Sequence, residues 1–224
     1  ALSAIAVAVS GWQTAPTDLR VAQVSEDRIA FRVLGSGRPV LVMISGLGDG
    51  MASFRAVAPR LAQNATVIVY DRAGYGSSSG VTSLRDAEAA DRELLQLLRA
   101  SGAPGPYVLL GHSLGGVFAE YFAAHHPDLV SGLILVESRP ADFGARCEAA
   151  GIPMCSPTPA MMVLSPPGAQ AEVAALPQTT TQVSGLGARP GLRALVLSRP
   201  SRPNDSPWES LWGRAQADLA ARYS

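Results

Sequence analysis

The sequence predicts an α/β fold built on a mostly parallel, doubly wound sheet. Short apolar runs with the length of buried strands recur along the chain, and most are followed by a segment whose apolar residues have helical spacing. A strand covered on both faces reads as a continuous apolar run, because helices pack on both sides of a parallel sheet. Strands that alternate with helices are joined by right-handed crossovers, which place successive strands side by side and parallel.

The first half of the chain supplies a hairpin and then alternating buried strands and helices. Residues 20–34 alternate polar and apolar, and we expect a hairpin that turns at Glu26 and Asp27. The strands and helices expected next are, in order, a strand at 40–44, a helix at about 51–63, a strand at 65–70 and a helix at about 84–101.

The central motif is a strand-to-helix turn with a serine at its tip. Four apolar residues at 107–110 lead into Gly-His-Ser-Leu-Gly at 111–115, and helical spacing continues from 117 to 126. A turn this tight strains the backbone, and Gly111 and Gly115 remove side chains that would collide on either side of it. The Ser113 hydroxyl is then expected to project from the sheet, beside a helix N-terminus that favours negative charge. The alternative is a glycine-rich turn with an ordinary serine.

The second half is interrupted by a proline-rich segment. Strands are expected at 130–136 and 192–197, and an amphipathic helix at about 207–222. Between them, residues 139–190 contain one short helical stretch near 168–176, and we expect them to cover Ser113 as a lid. Three apolar residues of this lid either line a substrate pocket or only pack the lid down: Met161, Met162 and Leu164.

The chain divides into a core at 20–138 and 191–224, a lid insertion at 139–190 and an N-terminal segment at 1–15. Ligand sites of such sheets form at the carboxyl ends of the strands. The loops expected to face one crevice begin at Ser45, Asp71, Gly111 and Glu137.

The composition argues against several classes of partner. Hydrophobic residues make up 47% of the 224 residues, charged residues only 16%, and the formal net charge is zero. This balance favours neither nucleic acid nor an anionic membrane surface as a partner, and it leaves a small-molecule substrate. The sequence shows no cluster of metal ligands, no apolar run long enough to span a membrane and no need for a cofactor.

The N-terminal residues and the cysteines favour export. The chain begins at Ala1, and residues 1–9 resemble the apolar part of a secretory signal whose charged leader is missing; the alternative is an extra edge strand. Cys147 and Cys155 would close a small disulfide loop in an exported protein and would be two free thiols in the cytosol. We therefore expect a periplasmic or extracellular protein, with a cytoplasmic location as the alternative.

Three motifs together resemble the α/β-hydrolase superfamily, most closely its small bacterial members with a serine nucleophile. They are the Ser113 turn, the Gly-Leu-Gly sequence at 46–48 and the loop Asp-Arg-Ala-Gly-Tyr-Gly-Ser at 71–77, and the resemblance covers about 20–138 and 192–222. It implies that Ser113 is the nucleophile and that the backbone N–H groups of Leu47 and Leu114 form the oxyanion hole. Ser45 stands where the family often has a histidine, which changes how this loop is held.

The resemblance leaves two candidates for the acid of a catalytic triad. Glu137 directly follows the strand at 130–136, and Asp205 lies several residues beyond the strand at 192–197. We favour Glu137. Each could instead be a solvated loop carboxylate, and Asp205 could be a charge near the N-terminus of the last helix, with Ser206 as its cap.

No histidine of the sequence is placed to act as the base. His112 is adjacent to Ser113, so its side chain is expected to point elsewhere, and His125 and His126 are about 18 Å along the helix that begins at Ser113. The resemblance places the base after one further strand, followed by a last helix. We therefore expect that the sequence is truncated before this histidine and is inactive as given. The alternative is a shortened protein that has lost its base.

The function expected from these features is hydrolysis of a carboxylic ester through an acyl-serine. Amide, thioester or carbon–carbon bond hydrolysis would use the same groups. The alternative in another class is a non-catalytic hydrolase-like protein that binds a small apolar ligand under its lid. A sheet that ended at 192–197 would also have an unpaired edge.

Overall fold

The computed structural model describes residues 18–81, 84–153, 155–187 and 191–224, in which a seven-stranded sheet is flanked by helices. The strands lie in the order β1-β2-β4-β3-β5-β6-β7. The β1–β2 and β2–β4 pairs are antiparallel and the other four pairs are parallel, which confirms the predicted α/β fold. The strands are β1 (Arg20–Val24), β2 (Asp27–Leu34), β3 (Val40–Ile44), β4 (Thr66–Tyr70), β5 (Tyr107–His112), β6 (Val130–Val136) and β7 (Arg193–Leu197).

Seven α-helices and two 3₁₀ helices are found in these residues. The α-helices are α1 (Ala58–Leu61), α2 (Ala87–Ser101), α3 (Leu114–His125), α4 (Phe143–Ala149), α5 (Pro167–Ala174), α6 (Leu176–Val183) and α7 (Pro207–Ala221). The 3₁₀ helices are Met51–Phe54 and Pro159–Met162. The signal segment or edge strand expected at 1–15 lies outside the described residues.

Alternate side chains of the central strands enter two different cores. On one face, Val42 and Ile68 pack in a cluster with the apolar residues of α2 and α3. On the other face, Met43 and Val69 pack against Phe54 and Ala58. The strands are buried on both sides, which explains their continuous apolar sequence.

The prediction of a single helix at 51–63 is wrong. The chain forms the 3₁₀ helix Met51–Phe54 and then the one-turn helix α1. Pro59 lies in the first turn of α1, where a missing N–H is tolerated, whereas inside one continuous helix it would remove a hydrogen bond and clash with the preceding turn.

The segment 139–190 is more helical than its sequence predicts. Instead of one helical stretch it contains α4, α5, α6 and a 3₁₀ helix. Each α-helix has only seven or eight residues, too few for a clear apolar period, so contacts with the rest of the protein stabilise them. Cys147 of α4 forms a disulfide with Cys155, the pairing expected for an exported protein.

Strand β7 forms one edge of the described sheet. It pairs with β6 alone, and its Leu195 and Leu197 side chains are 53% and 44% exposed. The unpaired edge expected from the sequence is therefore present in the described residues. None of the helices there is long and apolar enough to cross a membrane.

Candidate active site

Ser113 occupies a strained turn between β5 and α3. Its φ of 52° lies in the left-handed region, which a residue other than glycine rarely adopts. The turn is also closely packed: a Cβ on Gly115 would lie 2.3 Å from the Ile44 carbonyl oxygen, and a Cβ on Gly111 would lie 2.4 Å from the Cα of Gly116. The two glycines are therefore required by backbone contacts, as the sequence predicts.

The Ser113 hydroxyl opens onto a cavity of about 340 Å³. Although Ser113 is the N-cap residue of α3, its side chain makes no capping hydrogen bond, and no other hydrogen bond of its Oγ is found in the described part of the chain. The wall of the cavity is largely apolar, and its apolar side chains are Leu47, Leu114, Pro157, Val173, Leu176, Trp208 and Trp212. The hydroxyl is thus free to contact a ligand in the cavity.

Two residues that line the cavity with Ser113 have backbone N–H groups for which no acceptor is found among the described residues. Leu114 is the first residue of α3, so its N–H has no partner within the helix. Leu47 lies in the loop after β3, where the neighbouring Gly48 N–H is bonded to the Tyr75 hydroxyl, but no bond of the Leu47 N–H occurs among the described residues. Both residues line the cavity, so their N–H groups are candidates to stabilise an oxyanion.

Arg72 holds the loop after β3 in place. Its Nη1 donates to the Ser45 carbonyl oxygen (2.7 Å) and to the Ser45 hydroxyl (3.0 Å), and its Nη2 donates to the Gly46 carbonyl oxygen (2.9 Å). The Ser45 hydroxyl in turn donates to the Asp49 carbonyl oxygen. A buried guanidinium and a serine thus fix this loop at the position where the family often has a histidine.

A lid residue completes this network. Glu172 of α5 accepts hydrogen bonds from Arg72 Nε (2.6 Å) and from the Tyr75 hydroxyl (2.6 Å). Burial disfavours the charge on Arg72, but the Glu172 carboxylate outweighs it and raises the pKa of the guanidinium. Burial, together with the charge on Glu172, also raises the pKa of the Tyr75 hydroxyl, which therefore stays protonated and donates.

Three of the four loops expected at the crevice line the cavity. They contribute Leu47, His112–Leu114 and Glu137. The fourth, which begins at Asp71, does not reach the cavity and supports the site through Arg72. Asp71 itself accepts hydrogen bonds from the Met51 and Ser77 backbone N–H groups.

The two candidate acids lie in different places. Glu137 lines the Ser113 cavity, and its two carboxylate oxygens accept hydrogen bonds from the Arg199 backbone N–H and from Trp212 Nε1, both at 2.5 Å. Its φ of 44° is a second strained backbone position at this edge of the sheet. Asp205 does not line the cavity.

Asp205 instead forms hydrogen bonds within the loop before α7. The Arg202 backbone N–H (2.9 Å) and the Arg199 Nη1 (3.0 Å) donate to its carboxylate, and these contacts lower its pKa. Ser206 caps α7 in a capping box with Glu209, as expected. The contacts of Asp205 to Arg199 and Arg202 lie within the loop that precedes α7 and differ from the solvated carboxylate considered from the sequence.

The histidines are not bonded to Ser113. His125 and His126 lie at the far end of α3, where they contact the Tyr121 carbonyl oxygen and the Asp91 carboxylate. His112 differs from expectation: it lines the Ser113 cavity with its ring against Gly46, because that glycine leaves room for it. No hydrogen bond between His112 and Ser113 is found in the described residues. Nor do these residues contain a group of three or more potential metal ligands.

The lid contributes residues to the cavity other than those considered from the sequence. Met161 and Leu164 are exposed, and neither they nor Met162 line the cavity, so the interpretation of these residues as pocket lining is wrong. They lie in or after the 3₁₀ helix, whereas α5 and α6 face Ser113. The residues of 139–190 in the cavity wall are Arg139, Pro157, Glu172, Val173 and Leu176.

A family model described as the alpha/beta hydrolase fold matches residues 39–160, more than half of the chain. The chain belongs to this family. The matched residues include β3 to β6, the Ser113 turn and the beginning of the lid.

Relatives of this α/β hydrolase include one with a named activity. An uncharacterised protein of Mycobacterium tuberculosis is 38% identical over 127 residues, which are 55% of this chain and 36% of that protein. The pimeloyl-[acyl-carrier protein] methyl ester esterase of Edwardsiella ictaluri is 38% identical over 110 residues, 49% of this chain and 40% of the esterase. The chain thus spans two fifths or less of the length of these curated relatives.

The fold is shared with solved structures over most of the chain. The crystal structure of an alpha/beta hydrolase from Sphaerobacter thermophilus is similar with a TM-score of 0.60 and 24% identity. The similarity covers 91% of this chain and 88% of that chain. At 24% identity this similarity shows a shared fold only.

Proposed function

We propose that this α/β hydrolase cleaves a carboxylic ester through an acyl-serine intermediate formed on Ser113. The observation that carries the proposal is the Ser113 hydroxyl on a strained turn, in a largely apolar cavity that Leu47 and Leu114 also line, whose backbone N–H groups have no acceptor among the described residues. The esterase named among the relatives supports the same reaction class.

In the proposed reaction the Ser113 oxygen attacks the ester carbonyl carbon, and its proton passes to a base. The carbonyl oxygen becomes an oxyanion and accepts hydrogen bonds from the Leu47 and Leu114 N–H groups. Collapse of this intermediate expels the alcohol, which takes the proton from the base. Water then attacks the acyl-serine by the same route and releases the carboxylic acid.

We propose that the base is a histidine outside residues 1–224 and that Glu137 orients it. Support comes from His125 and His126, whose ring nitrogens are bonded at the far end of α3, and from His112, which has no bond to Ser113. Trp212 and the Arg199 N–H hold the Glu137 carboxylate at the cavity wall, and a carboxylate oxygen accepts more than one hydrogen bond.

A fluorophosphonate probe tests the nucleophile. We expect it to label the peptide that contains Ser113 in protein expressed with the native coding sequence that follows residue 224. The S113A variant should not be labelled. The matched control is S131A, which removes a serine hydroxyl that donates to the Tyr107 carbonyl oxygen at the beginning of β6 and does not line the cavity, and it should leave labelling unchanged. Labelling that persists in S113A would rule out this nucleophile.

The same probe tests the base. We expect H112A to be labelled at a rate within about threefold of the parent, because His112 has no bond to Ser113, whereas losing a general base typically costs at least about a hundredfold. Rapid labelling of residues 1–224 alone that is lost in H112A would assign the base to His112 and refute our proposal.

The second candidate function is non-catalytic binding of a small apolar ligand in this cavity. The observation that favours it is the absence, among the described residues, of a histidine bonded to Ser113. Saturable binding of a neutral ester without turnover or labelling, in protein that includes the residues after 224, would support it.

We also propose that the protein is exported, and the disulfide supports this proposal. Reduced thiols at Cys147 and Cys155 in protein from its native host would contradict it.

A further inference from the structure

Arg139 is a charged residue that lines the Ser113 cavity and takes no part in the proposed reaction. Its backbone N–H donates to the Ser113 carbonyl oxygen (3.1 Å), so the residue is fixed to the turn that carries the hydroxyl. Its side chain is partly buried and lines the cavity. Arg139 is thus placed to contact the same ligand as Ser113.

The Arg139 guanidinium has only neutral partners. Its Nη1 donates to the Cys155 carbonyl oxygen (3.3 Å), its Nη2 donates to the Ser156 hydroxyl (2.9 Å), and its carbon lies 5.7 Å from the centre of the Phe143 ring. It forms no ion pair within the described residues, which contain all 18 Asp and Glu residues of the chain.

Among the other charged groups in or beside the cavity, Glu137 forms no ion pair in the described residues and accepts hydrogen bonds from the Arg199 backbone N–H and Trp212 Nε1, whereas the remaining groups are paired. Glu172 is paired with Arg72, and Arg199 is paired with Asp205 and Glu209. Burial lowers the pKa of Arg139, and no carboxylate opposes this effect. A partly buried cation with no carboxylate bonded to it is costly, and an anionic ligand in direct contact with it would offset the cost.

A second cavity adjoins the first at this residue. It has a volume of about 380 Å³ and shares Arg139, Pro157, Val173 and Leu176 with the Ser113 cavity. A ligand with its ester at Ser113 can therefore extend along the lid past the guanidinium. Two of the five N–H groups of Arg139 are used by Cys155 and Ser156, which leaves donors for such a ligand.

We propose that Arg139 binds a carboxylate of the substrate, and that the preferred substrate is an ester that also carries a free carboxylate. The substrate class rests on the proposed esterase function; the anion site does not require catalysis. A carboxylate is favoured over a phosphate because one guanidinium balances one negative charge, and the cavity wall is largely apolar.

The disulfide loop holds the anion site. Cys155 and Ser156 supply both acceptors for the guanidinium, and the bond from Cys155 to Cys147 anchors this segment to α4. These contacts leave the planar group oriented before a ligand arrives, which reduces the entropy lost on binding.

Tryptophan fluorescence tests this proposal on residues 1–224, because Trp208 and Trp212 line the cavity. The ligands are monoethyl adipate, diethyl adipate and hexyl phosphate, which differ in charge at similar length. We expect monoethyl adipate to bind about 10- to 100-fold more tightly than diethyl adipate, the range of one charge-assisted hydrogen-bonded contact. It should also bind more tightly than hexyl phosphate.

Three variants locate the preference. R139Q, which keeps amide donors without the charge, should bind the monoester and the diester equally. R139K, which keeps the charge without the planar fork, should retain part of the preference, and R92Q, at an exposed arginine of α2, should retain all of it. If R139Q does not fold, the relative affinities of the parent protein and of R139K for the two adipates still test the proposal.

Equal binding of the two adipates by the parent protein, no saturable binding of either, or an unchanged preference in R139Q would overturn the proposal. Tighter binding of hexyl phosphate would overturn the assignment of a carboxylate. S113A should keep the preference. If protein that includes the residues after 224 fails to react at Ser113 while residues 1–224 prefer the monoester, the esterase function alone is refuted, and the reverse result refutes the anion site alone.

Discussion

The Arg72 guanidinium and the Glu172 carboxylate form an ion pair at 2.6 Å, with both side chains almost fully buried between the loop after β3 and the lid. The two residues are a hundred positions apart in the sequence. Arg72 also holds Ser45 and Gly46, and the Tyr75 hydroxyl accepts from the Gly48 N–H, so Glu172 of the lid is bonded through these two side chains to the loop that carries the Leu47 N–H. The position of the lid and the geometry of the candidate oxyanion site are therefore coupled.

We predict that E172Q lowers the free energy of unfolding by about 3–5 kcal/mol, the cost of leaving one member of a buried pair uncompensated. Urea unfolding measures the loss. Hydrogen exchange of the amides at 46–48 should also become faster, since Arg72 loses the partner that orients it. E88Q is the matched control, because Glu88 pairs with Arg92 on the exposed face of α2, and it should cost less than about 1 kcal/mol. Equal losses in the two variants would contradict this coupling.

The sequence predicts the sheet well because burial on both faces produces an apolar run that needs no knowledge of tertiary contacts. The strands at 40–44 and 130–136 have the predicted bounds, and the others differ by two residues or fewer at either end. The Ser113 turn is predicted for a related reason. A Cβ at either of its glycines would clash with backbone atoms of the same strand, turn and helix or of the adjacent strand β3.

The lid and the charged contacts could not be predicted in this way. The helices α4, α5 and α6 are too short to show a period, and Glu172 lies in a segment with no local signal of its role. The roles of Arg139 and Trp212 could not be predicted either, since their hydrogen-bond partners lie 16 or more residues away. Trp212 had one usable signal: it is a large aromatic residue with a polar N–H on the predicted amphipathic helix, and such a group takes a partner when buried.

We predict that G115A destabilises the protein by at least about 1–3 kcal/mol, the usual cost of overpacking, because its Cβ would lie 2.3 Å from the Ile44 carbonyl oxygen and 2.5 Å from that of Ser45. These are backbone atoms of β3 and the following loop, so they cannot move aside without shifting the candidate oxyanion site. G80A is the matched control, since a Cβ on Gly80 would meet nothing within 4 Å, and we expect a change within about 0.5 kcal/mol. Chemical unfolding of both variants is the measurement. A G115A variant as stable as G80A would refute the close packing of this turn.

We predict that the stability falls as the pH rises above the ordinary glutamate value of about 4.3. Burial raises the pKa of Glu93, so the folded protein holds this proton more tightly than the unfolded chain does. Its contribution is fully present below the unfolded pKa and is lost as the pH rises through the folded pKa, with a slope of at most about 1.4 kcal/mol per pH unit.

The test is urea unfolding of E93Q and the parent protein across this pH window. E93Q should have a smaller slope because it does not titrate. Some slope should remain, since burial raises the pKa of Glu120 in the same direction. E88Q, which removes an exposed carboxylate of the same helix, should behave as the parent does. A slope in E93Q equal to that of the parent would show that Glu93 does not titrate in this window.

We predict that reducing the Cys147–Cys155 bond lowers the free energy of unfolding by about 2.5 kcal/mol, the chain-entropy value for a loop closed by cysteines eight residues apart. Reduction leaves every side chain in place, so the comparison separates the cross-link from the packing of the buried Cys147 against Phe143 and Leu211. Urea unfolding with and without dithiothreitol measures the change. In the C147S/C155S variant the reductant should have no effect.

If Arg139 depends on this loop, reduction should also weaken the binding of monoethyl adipate more than that of diethyl adipate, because Cys155 and Ser156 accept from its guanidinium. Equal weakening of both ligands would assign the loop a role in stability alone.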